Sequence, residues 1–490
     1  MPRREHLVLV LPGIGGTLLA PPDDPERPVW SAAPRDVGLL RSPGRLSLAE
    51  HPRLLPVGLV PTRKALRFWT PVHGYDGLLR LLSALPDAVL DDGTPGGRDP
   101  DANVVAFGYD FRLGTEDAAD RLDSEVDLRL ERLWPGGESH SRRLIIVAHS
   151  MGGLVARRWL GRDERNWRRC RGLITLGTPH AGAPKALDVL VNGPSVKGVH
   201  PLRNRFRPLL SPWPSMAELL PRFPVVEDLT APPGPGGTPA VHRPHELPLP
   251  WLTGPAGAAY RLHREIERDW EALPREGPQM VARIGYGHAT LRSGTWDGSR
   301  LRMTTAPPAA AELGRWADDL GDGTVPAFSG QPLETDAQQH PGLLVPQRHG
   351  PISESQEAVD WVESFEGRPR HLPVRGEERP VALGLDVGEL QVAGEDIEVT
   401  AAVNGAAQTS AEGSLWAVAV PAAAGGGPVA REPDAETPLD RDSTTGRFTG
   451  RLRGLTPGLY DIQVTAEAVP GGGDLAAVAT VEILDDADTD

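Results

Sequence analysis

A single cysteine, Cys170, in 490 residues excludes any intramolecular disulfide, and a reducing, cytoplasmic setting is the simpler expectation. Lysine is almost as scarce, occurring only at Lys64, Lys185 and Lys197, so no G-K-[ST] closes a glycine-rich turn and a phosphate loop of that type is excluded. No window of about 18 apolar residues exists, so no transmembrane segment is expected. The N-terminal MPRREHLVLVLPG sets basic residues before an apolar run, but the run is short, is cut by Pro12 and lacks an A-x-A-like site. It reads as a first strand rather than a leader. A formal net charge of −15 repels a nucleic-acid backbone, so no nucleic-acid partner is expected.

What is present is α/β alternation. Short Val/Leu/Ile runs recur at 6–12, 103–110, 143–150, 171–177, 280–287 and 342–346, apolar on both faces as parallel strands covered on both sides are. Helical spacing near 3.6 fills 117–134 and 151–163 between them, and a closing helix is predicted over 355–367. The alternation lapses from Ala183 to about Pro278 into a proline-rich stretch too long for an ordinary connection. Residues 183–278 are therefore expected to form a cap over a catalytic domain spanning 1–370. After a Pro/Gly/Arg-rich linker at 367–380, residues 381–486 alternate apolar and polar positions between turn signals, and their spacing predicts an immunoglobulin-like β-sandwich.

Chemistry concentrates in RLIIVAHSMGGLVARRWL. Ser150 falls between a buried strand and an amphipathic helix, with Ala148 two before it and Gly152 two after, the arrangement of a nucleophile elbow. A serine hydroxyl needs a base and an orienting carboxylate, which follow it in the order Asp, His in folds of this kind. Asp322, in the G-D-G turn of GDGTVP, is the carboxylate candidate, with Asp318 and Asp319 reading as a solvated helix end. Of the downstream histidines, His349 lies in a Gly/Pro-rich loop after the last core strand; His340 precedes that strand and His371 falls in the linker. His349 is the base candidate, while His149 is expected to face away as a structural hydrogen-bond donor.

The turn Gly13-Ile14-Gly15-Gly16 after the first strand fails the dinucleotide fingerprint, since PPDDPERP follows where a helix would have to run. It reads instead as an oxyanion loop, with donors assigned to the backbone N–H groups of Gly15 and Met151. No metal and no cofactor is expected. In the cap, LLSPWPSMAELL at 209–220 offers Trp213, Met216 and Leu220 as lining for an acyl chain, and Trp213, Met216, Leu219 and Leu220 equally as a small core of the cap itself.

Six motifs in order, PGIGGT, FGYDFR, AHSMGG, LGTPHAG, GDGTVP and the HG at 349–350, resemble the lecithin:cholesterol acyltransferase-like branch of the α/β-hydrolase superfamily over about residues 5–366. The resemblance implies hydrolysis or transfer of an acyl ester, with a lipid or other acyl ester as substrate. In FGYDFR it implies residues that shape the cleft, and Asp110 and Arg112 are expected to pair and hold that loop. Three functions stand at this point: a serine esterase or lipase, an O-acyltransferase on the same triad, and an inactive scaffold whose β-domain binds a protein partner. Since every residue of the triad lies before 381, a chain ending near Arg375 is expected to keep activity on soluble esters, with the C-terminal module docking a partner.

Overall fold

The computed structural model describes residues 4–484 apart from 32–42, 62–73, 137–139, 194–201, 233–236, 275, 309–319, 333–341, 355, 369–380, 389, 405–414, 423–432 and 470–472. Asp318, Asp319, His340 and His371 lie outside the described residues.

The runs apolar on both faces form one sheet of seven strands, all parallel, in the order 342–345, 279–285, 170–176, 144–149, 7–11, 104–106 and 90–91. Every residue of Leu7–Leu11 and Leu144–His149 is buried. Alternation of side chains then divides the strands between two cores. Leu7, Leu9, Leu11, Leu144 and Ile146 pack with one layer, which includes Leu122, Val126 and Leu130 of Thr115–Leu133 and Leu154 and Val155 of Met151–Gly161. Val8, Val10, Ile145 and Val147 pack on the other with Leu78 and Leu82 of Asp76–Ser83 and Val359 and Val362 of Gln356–Phe365. Each such side chain taken fully from water contributes about 1.5–3 kcal/mol. The fold is α/β-hydrolase-like: a sheet closed on both faces leaves only its strand ends for a ligand, and Ser150 stands at one of them.

Between Cys170–Leu176 and Gln279–Gly285 the proline-rich stretch holds helices Pro184–Asn192, Leu202–Leu210, Pro214–Glu218 and Pro250–Ala272. The last of these returns to the main body, where Trp270 Nε1 donates to Arg157 O and its ring meets Trp167 edge-on. Val226–Asp228 and Val241–His242 join Ser293–Trp296 and Leu301–Thr304 in a separate four-stranded sheet, so residues beyond 278 complete the insertion.

The C-terminal strands are a correction to the expected sandwich. They form one curled, mixed sheet of eight strands in the order 382–387, 397–404, 448–452, 435–441, 415–421, 458–469, 473–484 and 390–392, and an immunoglobulin-like sandwich is not shown. The reason is the strand Ala435–Arg441, which pairs with Leu415–Pro421 through residues 435–439 and with Phe448–Leu452 through 440–441. It bends from one half to the other and makes them continuous. Pro438 demotes that segment as a strand in the sequence, and its missing N–H is tolerated because Phe448–Leu452 pairs only beyond it.

Candidate active site

The strand Leu144–His149 ends at Ser150, whose φ of 52° and ψ of −124° are strained for a residue with a Cβ, and the helix Met151–Gly161 begins directly after it. The Ser150 hydroxyl donates to His349 Nε2 at 2.9 Å, and His349 Nδ1–H donates to Asp322 Oδ2 at 2.7 Å. The carboxylate can only accept, which places the ring proton on Nδ1 and leaves Nε2 able to take the serine proton. Asp322 Oδ1 accepts from the N–H groups of Val325 and Thr324, and the His349 backbone N–H donates to Asp322 O at 2.9 Å. Burial raises the Asp322 carboxyl, but electrostatic attraction to the His349 ring and its hydrogen bond, with the two amide donors, outweigh it and hold the group below its ordinary value. The three residues separated by 172 and 27 positions in the chain are thus brought into one hydrogen-bonded line.

The Gly13–Gly16 turn, expected as the oxyanion loop, lies against this line. A Cβ on Gly13 would approach Ser150 Cβ to 2.8 Å, so only glycine fits there. Tyr75 Oη accepts from Gly13 N–H at 2.8 Å, and Trp30 Nε1 donates to the carbonyl of Gly15, which sits at φ +76°. Met151 occupies the first helical position, where the N–H has no intrahelical acceptor. Ile14, between the two tethered glycines, lines the cavity with Ser150.

His149 is a structural hydrogen-bond donor as expected, but it does not face away: its ring centroid lies 5.0 Å from that of His349, and its partners reveal what the sequence did not. Its Nε2–H donates to His349 O at 2.8 Å and its Nδ1 accepts from the Tyr75 hydroxyl at 2.8 Å. Burial, aided by the neighbouring His349, pushes its pKa down to about 3, so it is neutral and keeps this tautomer. Tyr75 and His149 thereby tie the Gly13–Gly16 turn to the His349 loop. Nothing in the sequence marks Tyr75, because it is 75 residues before the serine and reaches Gly13 and His149 only through the fold.

The cavity above Ser150 is walled by Ile14, Ala183, Ala186, Met216, Leu219 and Val325. Of the three proposed lining residues, Met216 is there. Trp213 and Leu220 are a correction: neither borders the cavity, Trp213 packing edge-on to Phe111 with ring centroids 5.8 Å apart, so for these two the core alternative holds, while Leu219 joins Met216 at the wall. The one-turn helix Pro214–Glu218 turns neighbouring residues to opposite sides, which an apolar string does not disclose. The open space is about 30 Å³, room for about one water.

Asp110 and Arg112 form the expected pair, with Nε and Nη2 of Arg112 donating to the two carboxylate oxygens at 2.9 and 2.6 Å. The pair is buried, Asp110 also accepts from Leu54 N–H, and Ser215 Oγ donates to Arg112 O, so the loop braces the insertion rather than touching Ser150. Cys170 is buried and its thiol is pushed up to about 12 by burial, so it is inert. Among the described residues no group of His, Cys, Asp and Glu could hold a metal ion, and no helix is long and apolar enough to cross a membrane.

A family model described as lecithin:cholesterol acyltransferase matches residues 88–231, a stretch that contains Ser150 but ends before Asp322 and His349. Among curated proteins, an uncharacterised protein of Saccharomyces cerevisiae, YJR098C, is 36% identical over 80 residues, which are 16% of this chain and 11% of that protein. The match therefore spans about a tenth of that relative's length. Among solved structures, the Tle4–Tli4 complex is similar at 14% identity over 75% of this chain and 98% of the other, with a TM-score of 0.47. Phospholipase PlaB from Legionella pneumophila is 10% identical over 98% of this chain and 92% of its own, with a TM-score of 0.23. The segment 88–231, with Ser150 in it, is a lecithin:cholesterol acyltransferase family domain.

Proposed function

We propose that the protein is a serine hydrolase that cleaves carboxylic esters of lipids through an acyl-enzyme at Ser150. The observation that carries this is the line Ser150 Oγ, His349, Asp322 at 2.9 and 2.7 Å. Ser150 Oγ attacks the ester carbonyl carbon as His349 Nε2 takes its proton, and Asp322 stabilises the imidazolium without itself being protonated. The oxyanion is held by the N–H groups of Gly15 and Met151. His349 then returns the proton to the departing alkoxide oxygen as the ester C–O bond breaks. Water attacks the acyl-serine, passing its proton to His349, and the carboxylic acid leaves as Ser150 recovers its hydrogen. The family match, together with apolar Met216 and Leu219 beside the serine, supports a lipid acyl group over a small polar one.

The test is labelling by a fluorophosphonate probe, followed by p-nitrophenyl esters of rising chain length. Labelling in the wild type that vanishes in Ser150→Ala, with a chain-length optimum that moves in Met216→Ala, is the expected result. Equal labelling of Ser150→Ala would overturn the assignment. The family match also favours a second reading, in which an alcohol rather than water resolves the same acyl-enzyme to give an O-acyltransferase. Analysis of products with and without an acceptor alcohol separates the two.

A further inference from the structure

The strand Ala382–Val387 is an edge of the C-terminal sheet. It pairs with Ile397–Asn404 on one side, and an unpaired edge exposes backbone donors and acceptors on the other. At Leu385 both of these groups are taken by the hydrolase. Leu385 N–H donates to His288 Nδ1 at 3.1 Å, and Leu385 O accepts from Arg348 Nη1 at 2.9 Å.

Each of those two residues is built into one of the loops that carry the acid and the base. The His288 N–H donates to Gly321 O at 2.9 Å, and Gly321 N–H returns to His288 O at 3.3 Å, so the chain before Asp322 is laced to His288. Thr290 Oγ1 donates to His288 O and accepts from the N–H groups of Gly321 and Gly323, on both sides of Asp322. Arg348 immediately precedes His349, whose backbone N–H is bonded to Asp322 O. One residue of the C-terminal sheet therefore holds both loops.

The joint is close as well as hydrogen-bonded. Asn404 Nδ2 donates to Gly287 O at 2.6 Å, and a Cβ added to Gly384 would come within 1.9 Å of that same oxygen. Ala382, Val392 and Leu484 belong to the hydrolase core, and His288, Arg348 and Asn404 are all buried at the joint.

We propose that the C-terminal sheet is a positioning element for the Asp322–His349 pair, with Arg348 and His288 as positioning residues that act through the free edge at Leu385. The proposal rests on the reading of Ser150, His349 and Asp322 as a hydrolytic triad. It replaces the expectation that residues beyond 375 are dispensable for turnover of soluble esters. A hydrogen-bonded triad tolerates little displacement, since misplacement by about 1 Å from a remote change can cost on the order of 10²-fold in rate.

The experiment uses the full chain and a short soluble p-nitrophenyl ester, at a temperature well below the unfolding midpoint of each variant. Arg348→Ala is expected to lower kcat on the order of 10²-fold with KM nearly unchanged, and to slow fluorophosphonate labelling of Ser150 in proportion. Arg348→Lys, which can still reach Leu385 O with one donor, is expected to recover part of that loss. Gly384→Val drives the joint apart from the C-terminal side and is expected to act in the same direction. Asn404→Ala removes one bond of the joint while both loops keep their own residues, so it is the milder variant should Gly384→Val or Arg348→Ala not fold. Wild-type kcat in folded Arg348→Ala or Asn404→Ala, or a loss that follows only the folded fraction, would overturn the proposal. A wild type that does not label at Ser150 would instead overturn the hydrolase reading, and the proposal with it.

Discussion

In the parallel sheet the strand Leu144–His149 is buried at every position, whereas Ile397–Asn404 in the C-terminal sheet alternates between buried and more accessible residues along most of its length. The first sheet is covered on both faces and can present chemistry only at its strand ends, where Ser150 stands; the second keeps one face towards solvent and contributes through an edge. The two also differ in what they bury. His149, His180, His263 and His288 are all buried in the hydrolase region, while no histidine occurs after His371. Polar groups are held inside the region that carries the candidate chemistry, and the attached sheet is stabilised by apolar alternation. A division of labour between two sheets can therefore be read from which of them encloses titratable groups.

The comparison breaks most sharply at the strand ends of the first sheet. Ser150→Ala is expected to reduce kcat by on the order of 10⁶ and Asp322→Asn by on the order of 10⁴, the latter through the wrong imidazole tautomer. Activity of Asp322→Asn close to that of the wild type would remove Asp322 from the triad.

Inside the cores the two sheets should behave alike. Ile146 and Ile462 are both fully buried, one in each, and Ile146→Ala and Ile462→Ala are each expected to cost about 2–5 kcal/mol in urea unfolding. If Ile462→Ala lowers only a separate transition and leaves that of the hydrolase region unmoved, the two regions unfold independently and the joint at Leu385 is weak.

Acid should distinguish them again. Burial pushes His149 and His288 down to about 3 and His263 to about 4, and holds His180 well below its ordinary value. On acidification below the ordinary histidine value of 6.5 the unfolded chain binds protons that the native protein refuses. Stability is thus full above that value and falls as the pH drops towards the folded values, by about 1.4 kcal/mol per pH unit for each such histidine. The lowered Asp322 carboxyl adds stability that is present above its ordinary value and lost only as the pH falls further, through the folded one. Urea midpoints at about pH 7 and about pH 5 check this, and a flat profile would contradict it. The smallest effect is expected at Trp416, which is 47% exposed on the C-terminal sheet. Trp416→Ala should leave kcat unchanged and move stability by no more than about 0.5 kcal/mol, and a marked loss of turnover would show that this face serves the reaction.

The sequence alone determined the elements whose reason is local. Apolar runs placed six of the seven parallel strands, because burial on both faces leaves no polar position to interrupt them; the seventh, Leu90–Asp91, is too short to show a period. A strand, Ser150 and small residues in that order located the elbow, and Gly- and Pro-rich loops marked Asp322 and His349, because those backbones need turns there. Tertiary structure alone decided the rest. Tyr75 meets Gly13 and His149 across the sheet, Trp213 turns to Phe111 while Met216 turns to Ser150, and Ala435–Arg441 joins two halves despite Pro438. Leu385 reaches His288 and Arg348 through backbone atoms that every residue carries. Contacts made by groups common to all residues, between positions far apart in the chain, leave no pattern in the order of the side chains, and only the packed chain brings them together.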